Sequence, residues 1–111
     1  ANLDGTDFSH ANLSGADLSA ANLHVANLSR ANLSHANRRQ AILYIANLDH
    51  TDLAQADLDR ADLSWAALTH ANLKQANLHA ANLHGANLKD ANLLEATLTK
   101  ANLSQATVEH H

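Results

Sequence analysis

Apolar residues recur along the chain at the first and third places of a five-residue unit, for which Ala81-Asn82-Leu83-His84-Gly85 serves as a specimen. Counted from Ala1, twenty-two such units run end to end and leave His111 over. The first place is Ala in all but Thr6 and Thr51, and the third is Leu in all but Phe8, Arg38 and Val108. The second is Asn or Asp except at Ile42, Ala67, Thr97 and Thr107, while the fourth and fifth are nearly free. A period of five fits neither regular element. On a helix each unit advances by about 500°, so successive Leu residues would step round the barrel and leave no apolar stripe. On a flat strand the next Ala would fall on the wrong side of the pleat. Both objections vanish if each unit is a short extended segment followed by a corner, so that every Ala and every Leu points inward again.

A coil with corners has to stack, because one turn can neither bury its inner face nor pair its extended backbone. Four corners to a turn would set residues twenty apart above one another at about 4.8 Å, the strand spacing. The period alone does not force the number four. The run of A-(N/D)-L-x-x over residues 1–110 closely resembles the pentapeptide-repeat proteins. That resemblance implies an all-β solenoid, a right-handed quadrilateral parallel β-helix of about 5.5 coils of twenty residues. Such proteins are abundant in bacterial, and especially cyanobacterial, sources, and many have no known role.

Within that frame nineteen Leu and Phe8 form four inner columns with small Ala between them. Each buried Leu is worth roughly 1.5–3 kcal/mol in transfer terms. Ordering each residue costs roughly 1–2 kcal/mol of backbone entropy, so stability depends on neighbouring coils rather than on any one unit. Asn and Asp at the second place have short side chains suited to bonding the backbone at a corner. Asp7, Asp17, Asp52, Asp57 and Asp62 are therefore read as structural.

The chain of 111 residues makes one domain, spanning 1–107. Residues 108–111, Val-Glu-His-His, read as a cloning scar followed by part of a polyhistidine tag. The lack of an initiating Met and of a signal-like start suggests a processed or trimmed product. Without Cys there is no disulfide or thiol chemistry, and no apolar run reaches the eighteen residues of a membrane span, so no membrane association is expected. Neither end shows a capping segment, and unpaired strand edges template pairing. End-to-end self-association is expected.

The pattern breaks between Asn37 and Ile45. Arg38 takes an inner place, where an unpaired guanidinium would cost several kcal/mol. It is expected to swing outward through a local bulge, beside Arg39. Folding the free places into columns of period twenty gives Gly5, Val25, Ile45, Trp65, Gly85, Gln105 beside Asp4, His24, Tyr44, Ser64, His84, Ser104. Val25, Tyr44, Ile45 and Trp65, with the only Tyr and the only Trp, thus converge on one outer wall, and together with Arg38 and Arg39 they form the expected contact for an unidentified protein partner. A small patch that only stiffens the coil is the plainer reading.

Another column reads His10, Arg30, His50, His70, Asp90, His110. His50 and His70 would be neighbours able to bridge Zn²⁺ with Asp90 as an oxygen ligand, but three ligands on a flat wall fall short of a structural site. The expectation is no metal, no cofactor and solvated side chains; Arg39, Asp59 and His79 are read likewise as a surface charge ladder. Ser, His and Asp are plentiful, yet flat walls offer no cleft to orient a triad and no phosphate-binding loop is present. An enzyme is not expected, and a formal net charge of −4 without a basic run argues against direct nucleic-acid binding. The reading is a non-enzymatic structural or interaction scaffold. One alternative is a spacer or fragment of a longer array. The other is a mimic of DNA acting on gyrase, as the resemblance to quinolone-resistance relatives implies; few acidic outward residues and the absence of dimer helices speak against it.

Overall fold

The computed structural model describes residues 2–34, 36, 37 and 41–108. Parallel bridges join second-place residues twenty apart throughout, from Asn2 with Asn22 to Asn87 with Thr107. Since consecutive bridges lie five residues apart and repeat after twenty, each coil has four sides. The first face holds the units that begin at 1, 21, 41, 61, 81 and 101, and the second, third and fourth faces hold those starting five, ten and fifteen residues later. The body measures 31 × 25 × 22 Å. No helix occurs among the described residues.

Two kinds of backbone bond build each side. The third-place N–H donates to the second-place carbonyl of the next coil, as Leu3 to Asn22 and Leu63 to Asn82, both at 2.7 Å. The second-place N–H donates to the first-place carbonyl of the previous coil, as Asn27 to Thr6 at 2.9 Å. The extended segment therefore pairs above and below. The corner follows at once: the first-place N–H donates back to the third-place carbonyl of the preceding unit, as Ala11 to Phe8 at 3.0 Å. That bond closes a four-residue turn whose fifth-place residue has a positive φ, the pattern of a type II turn. The second-place side chain fastens the same corner. Asn2 Oδ1 accepts from the N–H of Asp4 at 3.1 Å and Asp7 Oδ1 from that of Ser9 at 2.9 Å, and the pattern recurs as far as Asn102.

Inside, Leu23, Leu28, Leu33 and the third-place Leu residues from Leu43 to Leu88 are fully buried, with Ala at the first places closing the gaps between them. Thr51, one of the two Thr residues at first places, is buried too and donates its hydroxyl to the Leu28 carbonyl at 2.8 Å, which removes the cost of an unpaired polar group. Leu3, Phe8, Leu13 and Leu18 at one end, and Leu93 and Leu98 near the other, pack against this core while only partly covered.

Across the interruption the register holds. Asn37 pairs with Asp17 and Asp57, and Ile42 pairs with Asn22 and Asp62. No residue is inserted into the count of twenty. The bulge expected at Arg38 lies outside the described residues, as does Arg39.

Candidate functional site

The fifth place is not free. Each described fifth-place residue lies in the left-handed region, whether it is one of the three glycines or not, with φ between 56° and 72°. Most L-residues pay about 1–2 kcal/mol there, and β-branched ones are genuine outliers. Val25 at 63° and Ile45 at 60° are both β-branched, and both stand on the first face. Their N–H groups are held by the next coil, Val25 donating to Tyr44 at 3.2 Å and Ile45 to Ser64 at 3.0 Å, so stacking enforces the conformation.

That face gathers the expected apolar residues. Val25 is 49% exposed, Tyr44 36%, Ile45 45% and Trp65 50%, so the cluster stands in solvent rather than sealing the coil. Ile42 joins it at 42%. In the sequence Ile42 is an exception at the second place, and its position on the first face beside Tyr44 is the signal that it belongs to the cluster. Because Ile42 has no oxygen, the N–H of Tyr44 loses the side-chain acceptor that most other corners provide.

Rings run up the same face. Tyr44 stacks on His24, with centroids 5.4 Å apart and planes 5° from parallel. Trp65 meets His84 edge to face at 5.3 Å, a geometry that aromatic quadrupoles favour. Between Tyr44 and His84 in the column, Ser64 is buried and donates its hydroxyl to Asp62 Oδ1 at 2.6 Å. The outer histidines are tied as well: His24 Nδ1 lies 3.0 Å from Asp4 Oδ1, and His84 Nδ1 lies 2.6 Å from Ser104 Oγ.

Gly85 does more than ease a turn. A Cβ at that position would lie 2.5 Å from Cε3 of Trp65 and 2.6 Å from Cδ2, so the indole rests directly over the glycine. Gly5 and Gly15 have nothing within 4 Å of such a Cβ. The indole is thus located by two neighbours of the next coil, the ring of His84 and the missing side chain of Gly85.

The second face carries the histidine column. His50 and His70 stack with centroids 4.7 Å apart and planes 12° from parallel. Asp90 lies beside His70, its Oδ2 3.4 Å from Nε2. A carboxylate absent from the column reading also joins them: Asp49 Oδ2 lies 3.0 Å from His50 Nδ1. On the fourth face Asp59 is not a member of a solvated ladder. It is buried, with Nδ1 of His79 from the next coil 2.7 Å away, so the short carboxylate is covered and paired rather than solvated. The described surface forms no pocket.

This geometry agrees with the comparisons. The family model of pentapeptide repeats matches in eight copies over residues 1–37, 46–75 and 76–110. The chain belongs to the pentapeptide repeat family, whose fold is a right-handed quadrilateral β-helix. Among solved structures it is similar to the pentapeptide repeat protein Rfr23 of the cyanobacterium Cyanothece 51142, at 34% identity over 97% of this chain and 88% of that one, with a TM-score of 0.94. It also resembles alr5209, a pentapeptide repeat protein of Nostoc Pcc 7120, at 33% identity over 97% of this chain and 84% of that one, TM-score 0.52. The plasmid-mediated fluoroquinolone resistance protein QnrB1, in a trypsin-treated form, matches at 26% identity over 92% of this chain and 60% of that one, TM-score 0.53. Among curated proteins none matches. The family match omits residues 38–45, the segment that contributes Ile42, Tyr44 and Ile45 to the first face.

Proposed function

We propose that the protein is a non-enzymatic interaction scaffold whose first face, around Tyr44 and Trp65, docks a protein partner. The observation that carries this reading is the exposed apolar cluster itself: Val25, Ile42, Tyr44, Ile45 and Trp65 share one wall and remain in solvent. An exposed apolar and aromatic group on an otherwise polar surface is the usual mark of a protein contact, and rigid aromatic anchors lose little entropy on binding. The residue choice at Val25 and Ile45 supports the same reading, since the coil imposes the left-handed corner on every face and β-branched residues tolerate it least. The departure of residues 38–45 from the repeat pattern supports it further.

The test is affinity capture from the source organism's lysate, comparing the wild type with a Tyr44→Ser, Trp65→Ser double variant of unchanged thermal melt. A partner retained only by the wild type supports docking at the wall. Purified partner should then shift the emission of Trp65, the only Trp in the chain. Equal capture by both proteins, or self-capture alone, overturns the reading and moves function to the coil ends. There the half-covered Leu3, Leu18, Leu93 and Leu98 would be sealed by one more coil, from this chain's continuation or from a second copy. Action on gyrase is the remaining alternative, prompted by the likeness to QnrB1; inhibition or protection in a supercoiling assay by the double variant as well as the wild type would favour it over the wall.

A further inference from the structure

We propose that Asp49, His50 and His70 form a binding site for a divalent transition ion of the zinc class on the second face. One ligand atom from each of the three lies within 4.8 Å of the other two. Asp49 Oδ2 and His50 Nδ1, 3.0 Å apart, are already close to the separation of two ligands on one tetrahedral zinc, about 3.3 Å for bonds of the usual length. His70 completes the set from the coil above. Its backbone is fixed there, since His50 donates to the Thr69 carbonyl at 2.9 Å and His70 to that of Lys89 at 3.0 Å. Both imidazoles are exposed, and the stacked rings have to turn out of parallel so that their nitrogens, within 4.8 Å of the other donors, come to the separation of ligands on one ion.

Three further features fit a cation. Asp90 Oδ2 lies 3.4 Å from His70 Nε2, near enough to take a hydrogen bond from that nitrogen once the ring turns and so leave Nδ1 as the donor, the arrangement that commonly orients metal-bound histidines. Asp49 Oδ1 is buried and accepts no hydrogen bond from the described residues, so the carboxylate is short of partners and a cation at Oδ2 would balance its charge. Two imidazoles with one or two carboxylates suit zinc, copper or nickel rather than magnesium, which prefers oxygen alone. With three protein donors on an open wall, the fourth position belongs to water or to a side chain of another molecule, so the site has the open form rather than the closed structural one.

The experiment is titration of the full chain with ZnCl₂ by calorimetry, in a background carrying His110→Gln and His111→Gln so that the terminal histidines do not contribute. One ion per chain is expected, with no heat from MgCl₂. His50→Gln and His70→Gln should each abolish or severely weaken binding. Asp90→Asn, which alters the group beside His70 and none of the three donors, should weaken it about tenfold, and Asp49→Asn should fall between. His79→Gln, which alters the single imidazole paired with Asp59, should bind as the background does. Variants are compared at equal thermal stability, expected because His50 and His70 are exposed. Loss of all binding in the terminal background overturns the proposal, as does unchanged affinity in both His50→Gln and His70→Gln, or equal weakening by His79→Gln.

Discussion

On the third face the left-handed corner positions include Gln55, Gln75 and Glu95, and their side chains bond one to the next, Gln55 Nε2 to Gln75 Oε1 at 2.8 Å and Gln75 Nε2 to Glu95 Oε1 at 3.2 Å. On the first face the same positions hold Val25, Ile45 and Trp65, above which comes Gly85. Backbone, period and φ are shared between the two walls. The amide column satisfies itself within the coil. The apolar column leaves half of each side chain in water and places two β-branched residues where they are strained, and its internal complements are those of Trp65, with His84 at its ring and Gly85 leaving it room. The third face does expose Leu94, but a single apolar residue on a surface is ordinary. The coil itself accepts either surface chemistry at these corners.

If that is so, the interiors behind the two walls must be equivalent. Leu63 lies behind the first and Leu73 behind the third, both fully buried. Leu63→Ala and Leu73→Ala should each cost about 2–5 kcal/mol in urea unfolding, and should match one another within experimental scatter. A markedly cheaper Leu63→Ala would break the comparison, because the apolar wall would then be compensating for a weaker core.

The seat of Trp65 can be isolated next. Gly85→Ala and Gly15→Ala both put a Cβ on a left-handed residue, at φ of 69° and 72°, so that part of the cost is common. Only the first meets an indole. Gly85→Ala should therefore destabilise by about 1 kcal/mol more than Gly15→Ala, the usual size of an overpacking cost, and should change the Trp65 emission. In a Trp65→Ala background the difference should disappear. Persistence of the gap there would mean that something other than the indole excludes a side chain.

A gain of stability should come from relieving strain. Asn tolerates the left-handed region far better than Val does, so Val25→Asn should stabilise by about 0.5–1 kcal/mol, a part of the ordinary penalty. Gln55→Asn on the third face removes no β-branch and loses the bond to Gln75, and should gain nothing. A destabilised Val25→Asn would show that the first face packs against the coil more than its exposure suggests.

The inward columns and the corner Asn and Asp were legible from the five-residue period, because each inner place admits so few residue types. The four-sided coil was legible only with the family resemblance, since the number of corners leaves no mark in the period. The left-handed fifth place was not legible: with only Gly5, Gly15 and Gly85 as signals, residues such as Trp65 and Ile45 concealed a conformation that stacking enforces on any side chain. The first-face cluster was found by folding at twenty, but Ile42 was passed over because it occupies a corner place. Asp49 was missed for the opposite reason: reading by columns pairs residues one coil apart and overlooks the neighbour within the same turn. The contact expected at Arg38 and Arg39 falls outside the described residues.

The smallest effect concerns acid, and it separates the walls from the corners that both depend on. Asp7 and Asp17 belong to the second and fourth faces. Their carboxylates accept the N–H of Ser9 at 2.9 Å and of Ser19 at 3.1 Å. These backbone bonds, followed by the serine hydroxyls, hold both groups below their ordinary pKa of 3.8. The folded state then binds these protons less readily than the unfolded one. The stabilisation is fully present above pH 3.8 and is lost as the pH falls through the lowered folded values. Asp7→Asn with Asp17→Asn keeps an oxygen acceptor at each corner and removes the titration, so stability followed by circular dichroism from pH 6 down to about 2.5 should fall less steeply in the double variant. Val25→Asn should leave that acid slope unchanged while raising stability throughout. A slope altered by Val25→Asn would mean that wall and corners are coupled, and the strain of the first face could no longer be treated as a property of that face alone.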